Sequence, residues 1–171
     1  MVKQVVILVG GRGKRLKAFT KNTPKPMINI NGLTFLDHIL NNLSKYYLEK
    51  IYLMAGYKGK QIKKKYHNKK ILFSKIVVKI EKKPMGTAGC LTQLKKEINS
   101  DFLLLNGDSF FDLNLNNFIK KSLKCLKDNK IISMALTKSK NYKSNKKLSN
   151  LIIGKNNIVK MNKNNNCLMN G

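Results

Sequence analysis

The sequence predicts an α/β domain in which a largely parallel sheet is covered by helices on both faces. Two observations carry this. Apolar strand-like runs alternate with stretches of helical periodicity along most of the chain, the pattern of strands joined by crossover helices. The motifs richest in Gly, Pro and Asp follow the first, third and fourth of those runs, and ligands of open parallel sheets bind beyond the carboxyl ends of the strands.

Taken in order, residues 4–9 form the first strand and run into a Gly-rich loop. Residues 35–43 (FLDHILNNL) carry apolar side chains at helical spacing, with Thr34 as N-cap. Residues 50–55 (KIYLMA) form a second strand ended by Gly56, and 61–67 a short, very basic helix. Residues 75–81 (KIVVKIE) form a third strand, 88–98 a helix behind a Gly-Thr pair, and 101–106 (DFLLLN) a fourth strand. A helix over 115–126 places Phe118, Ile119, Leu123 and Leu126 on one side, and 130–137 (KIISMALT) reads as a fifth strand. Beyond it, residues 151–153 and 158–159 flank a Gly-Lys-Asn-Asn turn and predict a hairpin.

The length of 171 residues suits one domain with its own core. The apolar run at the N-terminus is too short for a signal peptide, and no stretch is long enough to cross a bilayer. The expectation is a cytoplasmic protein with no membrane partner. Cys90, Cys125 and Cys167 are odd in number and far apart, which argues against a disulfide framework or a zinc knuckle. The net charge of +27 raises a nucleic-acid partner. Yet of 35 basic residues only Arg12 and Arg15 are arginine, and the lysines are spread along the whole chain. Base-edge reading favours arginine forks. The charge is therefore assigned to solvated faces, where A/T-rich codons accumulate Lys, Asn and Ile, and no specific nucleic acid is expected. It would still attract a multiply charged anion.

Four segments carry candidate chemistry. Leu8-Val9-Gly10-Gly11-Arg12-Gly13-Lys14-Arg15-Leu16 follows the first strand. Glycines there let backbone N–H groups approach a phosphate, and Lys14 and Arg15 add charge. A dinucleotide site would need G-x-G-x-x-G and a carboxylate ending the second strand; Met54-Ala55-Gly56 stands there instead. In Pro24-Lys25-Pro26-Met27 two prolines stiffen an extended segment and hold Lys25 in a defined direction. Glu81-Lys82-Lys83-Pro84-Met85-Gly86-Thr87-Ala88-Gly89 leads from a strand into a helix N-terminus, a place to read a base edge or hold an anion. Leu103-Leu104-Leu105-Asn106-Gly107-Asp108 ends a buried strand in a carboxylate. Asp108 suits Mg²⁺, which takes one or two carboxylates and completes its shell with phosphate and water.

In this order, G-G-x-G-x-R-L, P-K-P-M, P-x-G-T-A-G and L-x-N-G-D resemble the sugar-1-phosphate nucleotidylyltransferases, from about Gln4 to the end of the chain. The run from Phe102 to Leu113 is most similar to the branch that activates D-glycero-D-manno-heptose 1-phosphate or mannose 1-phosphate with GTP. The resemblance implies a Rossmann-like three-layer nucleotidyltransferase domain spanning 1–171, incomplete at its C-terminus. It implies nucleotidyl transfer from an NTP, GTP on this branch, to a sugar 1-phosphate, giving a nucleotide-sugar and pyrophosphate. Leu8, Gly10, Gly11, Gly13, Lys14, Arg15, Lys25, Pro84, Gly86, Thr87 and Gly107 would bind the nucleotide. Arg15, Lys25 and Asp108 would be catalytic, with Asp108 the Mg²⁺ ligand. Asn106, Asn170 and Gly171 would hold the sugar. Homo-oligomers are among the assemblies it allows.

The chain departs from that pattern in three places. Position 14 is Lys where Thr is usual. Met161-Asn162-Lys163-Asn164 replaces an F-x-E-K segment, and no acid follows Asp128. The family pattern also continues beyond Gly171 and supplies a second acidic metal ligand there. Two alternatives therefore stand beside the enzyme: a nucleotide-binding remnant or regulatory module with impaired catalysis, and a basic nucleic-acid binder.

Overall fold

A computed structural model describes residues 2–126, 132–137, 151–153, 159–161 and 169–170. They belong to two compact units, Met1–Phe110 and Phe111–Gly171.

The first unit is built on a five-stranded sheet. Its strands are β1 (Gln4–Leu8), β4 (Lys50–Ala55), β5 (Lys70–Ile71), β6 (Ser74–Ile80) and β7 (Leu103–Asn106), in the order β5-β6-β4-β1-β7. All neighbours are parallel except β5, which pairs antiparallel with β6. From β1 the chain builds outward through β4 and β6, then returns to lay β7 on the other side of β1. That reversal makes the carboxyl ends of β1 and β7 a topological switch point, where parallel sheets open a crevice.

The pleat divides the buried side chains between two faces. On one, Val6, Tyr52 and Met54 pack with Cys90 and Leu94. On the other stand Val5, Ile7, Ile51, Leu53, Ile76 and Val78, each at most 4% exposed. A near-continuous apolar strand such as β4, buried from Ile51 to Ala55, is what a sheet covered on both faces requires.

Helix α1 (Lys17–Thr20) follows the Gly-rich loop, and helix α2 (Phe35–Leu43) forms as its spacing predicts. The Thr34 hydroxyl accepts from Asp37 N–H while the Asp37 carboxylate accepts from Thr34 N–H, a reciprocal cap on two otherwise unpaired donors. Leu36, Ile39, Leu40 and Leu43 line its buried face, each worth about 1.5–3 kcal/mol when fully removed from water. Helix α3 (Gly59–Tyr66) packs on β6. It is tied to α2 through the Tyr66 hydroxyl, which donates to Asp37 Oδ1 (2.9 Å) and meets the Thr34 hydroxyl. His67 Nδ1 accepts from Val78 N–H and His38 Nε2 meets Ile30 O, so both histidines hold backbone.

Several local expectations change. Residues 88–98 are not one helix: α4 (Gly86–Gly89) spans four residues and gives way to a 3₁₀ turn, Cys90–Leu94. Glycines at 86 and 89 weaken the α-helix, and Thr92 bonds back to Gly89 O. The segment Lys25–Met27 is a 3₁₀ turn, with only Pro24 extended before it. The sheet's fifth strand is the two-residue β5, too short for periodicity to reveal. Strands β2 (Asn29–Ile30) and β3 (Leu33–Thr34) form a hairpin whose central Asn31 and Gly32 both have positive φ, the Asn-Gly turn signal.

In the second unit, α5 (Leu115–Cys125) forms as expected, capped by the Asn114 side chain, with Phe118, Ile119 and Leu123 half-buried. Of the expected strand over 130–137, only β8 (Leu136–Thr137) is a strand among the described residues, and it pairs antiparallel with β11 (Met169–Asn170) instead of extending the parallel sheet. Strands β9 (Leu151–Ile153) and β10 (Val159–Met161) form the predicted hairpin; its turn lies outside the described residues. Among the described residues no helix is long and apolar enough to cross a membrane.

Candidate functional site

Backbone pairing continues past the strand ends and fixes the loops there. Val9 N–H donates to Met54 O, Gly107 N–H to Leu8 O, Tyr57 N–H to Gly10 O and Glu81 N–H to Ala55 O. The carboxyl ends of β1, β4, β6 and β7 are thereby drawn into one rim, and above it opens a cleft of about 610 Å³, a size suited to a small-molecule ligand.

Two glycines are required by this geometry. At Gly107 a Cβ would lie 2.5 Å from Val9 Cγ1 and 2.7 Å from Leu8 O, closer than any real side chain approaches. Gly13 has φ +61 and would press a Cβ to 3.1 Å from Lys25 Cβ. The Gly-rich loop and the Pro-Lys-Pro segment therefore meet at Gly13, and Thr20 closes that turn by donating to Leu16 O.

Most of the candidate residues converge on this cleft. Leu8, Gly10, Gly11, Gly13, Arg15, Lys25, Pro84, Gly86, Thr87, Asn106, Gly107 and Asp108 all line it. Lys14 lies in the adjoining turn Lys14–Leu16, and its side chain is outside the described residues. Asn170 pairs with Leu136 in the second unit, and Gly171 lies outside the described residues.

Lys25 Nζ donates to Asp108 Oδ2 at 2.7 Å, with the side chains 31% and 49% exposed. A cation from the second motif and the carboxylate of the fourth thus meet at the cleft wall. Asp108 Oδ1 also faces the Ser109 hydroxyl at 3.5 Å. Among the described residues no three His, Cys, Asp or Glu side chains gather as a metal cage. The half-exposed Asp108 carboxylate instead fits an ion that arrives with phosphate and water in its shell.

The sequence reading gave no role to Glu81 and Cys90, both of which line the cleft. Glu81 was legible as the only acid in the third motif. Burial, and then the neighbouring Glu81 carboxylate, pushes the Cys90 thiol up from its ordinary range. The protonated thiol donates to Thr87 O and is a structural group rather than a nucleophile. Cys125 is free and exposed; Cys167 lies outside the described residues.

Residues 4–145 match the nucleotidyl transferase family (NTP_transferase). Over 124 residues the chain is 40% identical to the D-glycero-alpha-D-manno-heptose 1-phosphate guanylyltransferase of Campylobacter jejuni, covering 72% of this chain and 56% of that protein. Over 144 residues it is 31% identical to the enzyme of the same name from Aneurinibacillus thermoaerophilus, covering 81% and 59%. Among solved structures it superposes on HddC from Yersinia pseudotuberculosis complexed with GMP-PN, with a TM-score of 0.63 and 35% identity, covering 71% of this chain and 55% of that one. The chain thus spans between half and three fifths of the length of these relatives. The α/β architecture with its mostly parallel sheet is theirs as well, and the chain belongs to the nucleotidyl transferase family.

Proposed function

We propose that this chain binds GTP and a sugar 1-phosphate and serves transfer of the nucleotidyl group between them, with release of pyrophosphate. One observation carries the reading: the glycine loop, Lys25 and Asp108 share one cleft at the sheet's switch point. The names of the relatives, heptose 1-phosphate guanylyltransferases, support guanine and a heptose-like sugar.

In this reading the backbone of Gly10, Gly11 and Gly13 cradles the triphosphate, and Leu8 floors the cleft. Arg15 and Lys25 neutralise charge on the phosphates and on the departing pyrophosphate; Lys14 joins them on the strength of the resemblance alone. Pro84, Gly86, Thr87 and Gly107 border the nucleoside. Asn106 faces the sugar; Asn170 and Gly171 join it on the strength of the resemblance alone. The Glu81 carboxylate is an acceptor pair suited to the adjacent N1–H and N2–H donors of guanine. Asp108 would hold Mg²⁺, which when bound supplies positive charge at the phosphates.

The chemistry asks little of covalent catalysis. An oxygen of the sugar phosphate attacks the α-phosphorus as the bond to pyrophosphate breaks. The attacking group is already an anion, so no side-chain base is needed. Positioning and charge neutralisation carry the rate, consistent with a cleft of glycines, two cations and few acids.

The test is a thermal-shift titration with GTP, ATP, CTP, UTP and dTTP, each with Mg²⁺. A ligand of the folded state raises the melting temperature. GTP is expected to give the largest rise. A cooperative melt that no nucleotide moves would sink the reading.

A further inference from the structure

We propose that the end of the sheet remote from the cleft is a docking surface for an anionic membrane. There the hairpin joining β5 to β6 projects Leu72 and Phe73, which are 69% and 75% exposed. Tyr47, just before β4 and 57% exposed, lies against Phe73 with ring centroids 6.0 Å apart. Two large apolar side chains and a tyrosine therefore form one continuous exposed tip.

Leu72 has φ +48. A bulky side chain in the left-handed region is an outlier that glycine or asparagine would relieve. Such strain points to a use for the side chain outside the fold.

The charge beside the tip is the second observation. Lys50 pairs in register with Lys75, and Lys75 with Lys70. Three exposed lysines thus stand side by side on one face of the sheet, although like charges directly opposite destabilise strand pairing. None of them joins the ion pairs found among the described residues. Exposed Lys69 directly precedes Lys70, and Glu49 is engaged by Lys3.

An apolar tip beside a row of exposed lysines complements a bilayer surface with anionic headgroups. The lysines meet the headgroups while their stems lie along apolar surface, and Leu72 and Phe73 enter the acyl boundary. A tyrosine suits the interface between the two. Phe73 and Tyr47 each offer a face on which a base could stack, but Leu72 offers none, whereas a bilayer engages all three side chains. The expectation of no membrane partner rests on the lack of a segment long enough to span a bilayer, and surface docking needs none. The cleft lies at the opposite ends of the strands, about 20 Å away along β4, and stays open to solvent.

The test is flotation of the full chain with vesicles of phosphatidylcholine alone, or with about 30 mol% phosphatidylserine, at low and raised salt. The chain is expected to float with the anionic vesicles only, and less at raised salt. Replacing Leu72→Asn and Phe73→Ser keeps every lysine and relieves the φ of residue 72. It is expected to weaken binding by about tenfold or more, since withdrawing two large apolar side chains from water is worth at least a decade in affinity. A Phe73→Trp variant, in a chain with no other tryptophan, is expected to shift its emission to the blue on anionic vesicles. A control that replaces Lys60, Lys63 and Lys64 by Glu, away from the tip, is expected to bind nearly as the parent does. Undiminished binding by the Leu72/Phe73 variant, or an equal loss in the control, would overturn the proposal in favour of unspecific charge. A tryptophan that responds to polyuridylate but not to vesicles would overturn it in favour of nucleic acid. A dimer dissolved by the Leu72/Phe73 substitutions would assign the patch to a second copy of the chain.

Discussion

Lys25 and Asp108 are 83 positions apart, yet their side chains form a 2.7 Å ion pair at the wall of the cleft. In the proposed reading Lys25 turns to phosphate and Asp108 to Mg²⁺, so each would release the other when a nucleotide binds. The two substitutions should therefore differ in kind. Lys25→Ala is expected to weaken GTP binding about tenfold with or without Mg²⁺, the loss of one charge-assisted contact. Asp108→Asn is expected to keep the metal-free response to GTP and lose its enhancement by Mg²⁺. Thermal shifts with GTP, with and without Mg²⁺, make the comparison. An Asp108→Asn chain with full Mg²⁺ dependence would remove Asp108 from the metal.

Glu81 is expected to govern base preference. Glu81→Gln exchanges one acceptor oxygen for a donor, leaving a mismatch toward the two guanine donors. GTP affinity should fall about tenfold to a hundredfold, as when a buried polar contact is left unpaired, while UTP affinity holds or improves. The same titration reads it, and an unchanged order of nucleotides would take Glu81 out of base recognition.

Gly107→Ala is expected to destabilise the fold by about 1–3 kcal/mol, because the new Cβ meets Leu8 backbone and Val9 that cannot yield without strain. Urea denaturation measures this directly. A midpoint equal to that of the parent would mean that the β1 and β7 ends are not locked together.

The Asp37 carboxyl, 18% exposed, has its pKa lowered to about 2. Burial alone would raise it, but Lys65, the Thr34 N–H and hydroxyl, and Tyr66 outweigh burial. A depressed carboxylate stabilises fully above its unfolded value of 3.8 and loses that stabilisation as pH falls toward 2. Stability should thus drop by about 1–2 kcal/mol over that interval. Asp37→Asn should be less stable by a similar amount at neutral pH and lack this step, as melting curves between pH 2 and 5 would test.

The elements read correctly from sequence have their cause within a few residues. The helix over 35–43 is written in its apolar spacing and in Thr34 with Asp37. The strands at 50–55 and 103–106 are written in unbroken apolar runs. The Asn31-Gly32 hairpin follows the same local logic. Where the helix over 88–98 broke, glycines at 86 and 89 undid a periodicity that looked sufficient by itself. Strand β5 has two residues and no pattern; only its pairing with β6 makes it a strand.

By itself, the sequence determined which residue types stand in its motifs: glycines fit for a close backbone approach, two cations, and an acid at a strand end. Those are properties of residue types and short spacings. Only the tertiary structure decided which of these groups meet. Parallel strands bring residues 8, 54, 81 and 106 to one rim because hydrogen-bonded register, not proximity in sequence, sets their neighbours. The same register set three lysines in a row across β4, β6 and β5 at the far end, a juxtaposition that no spacing along the chain announces.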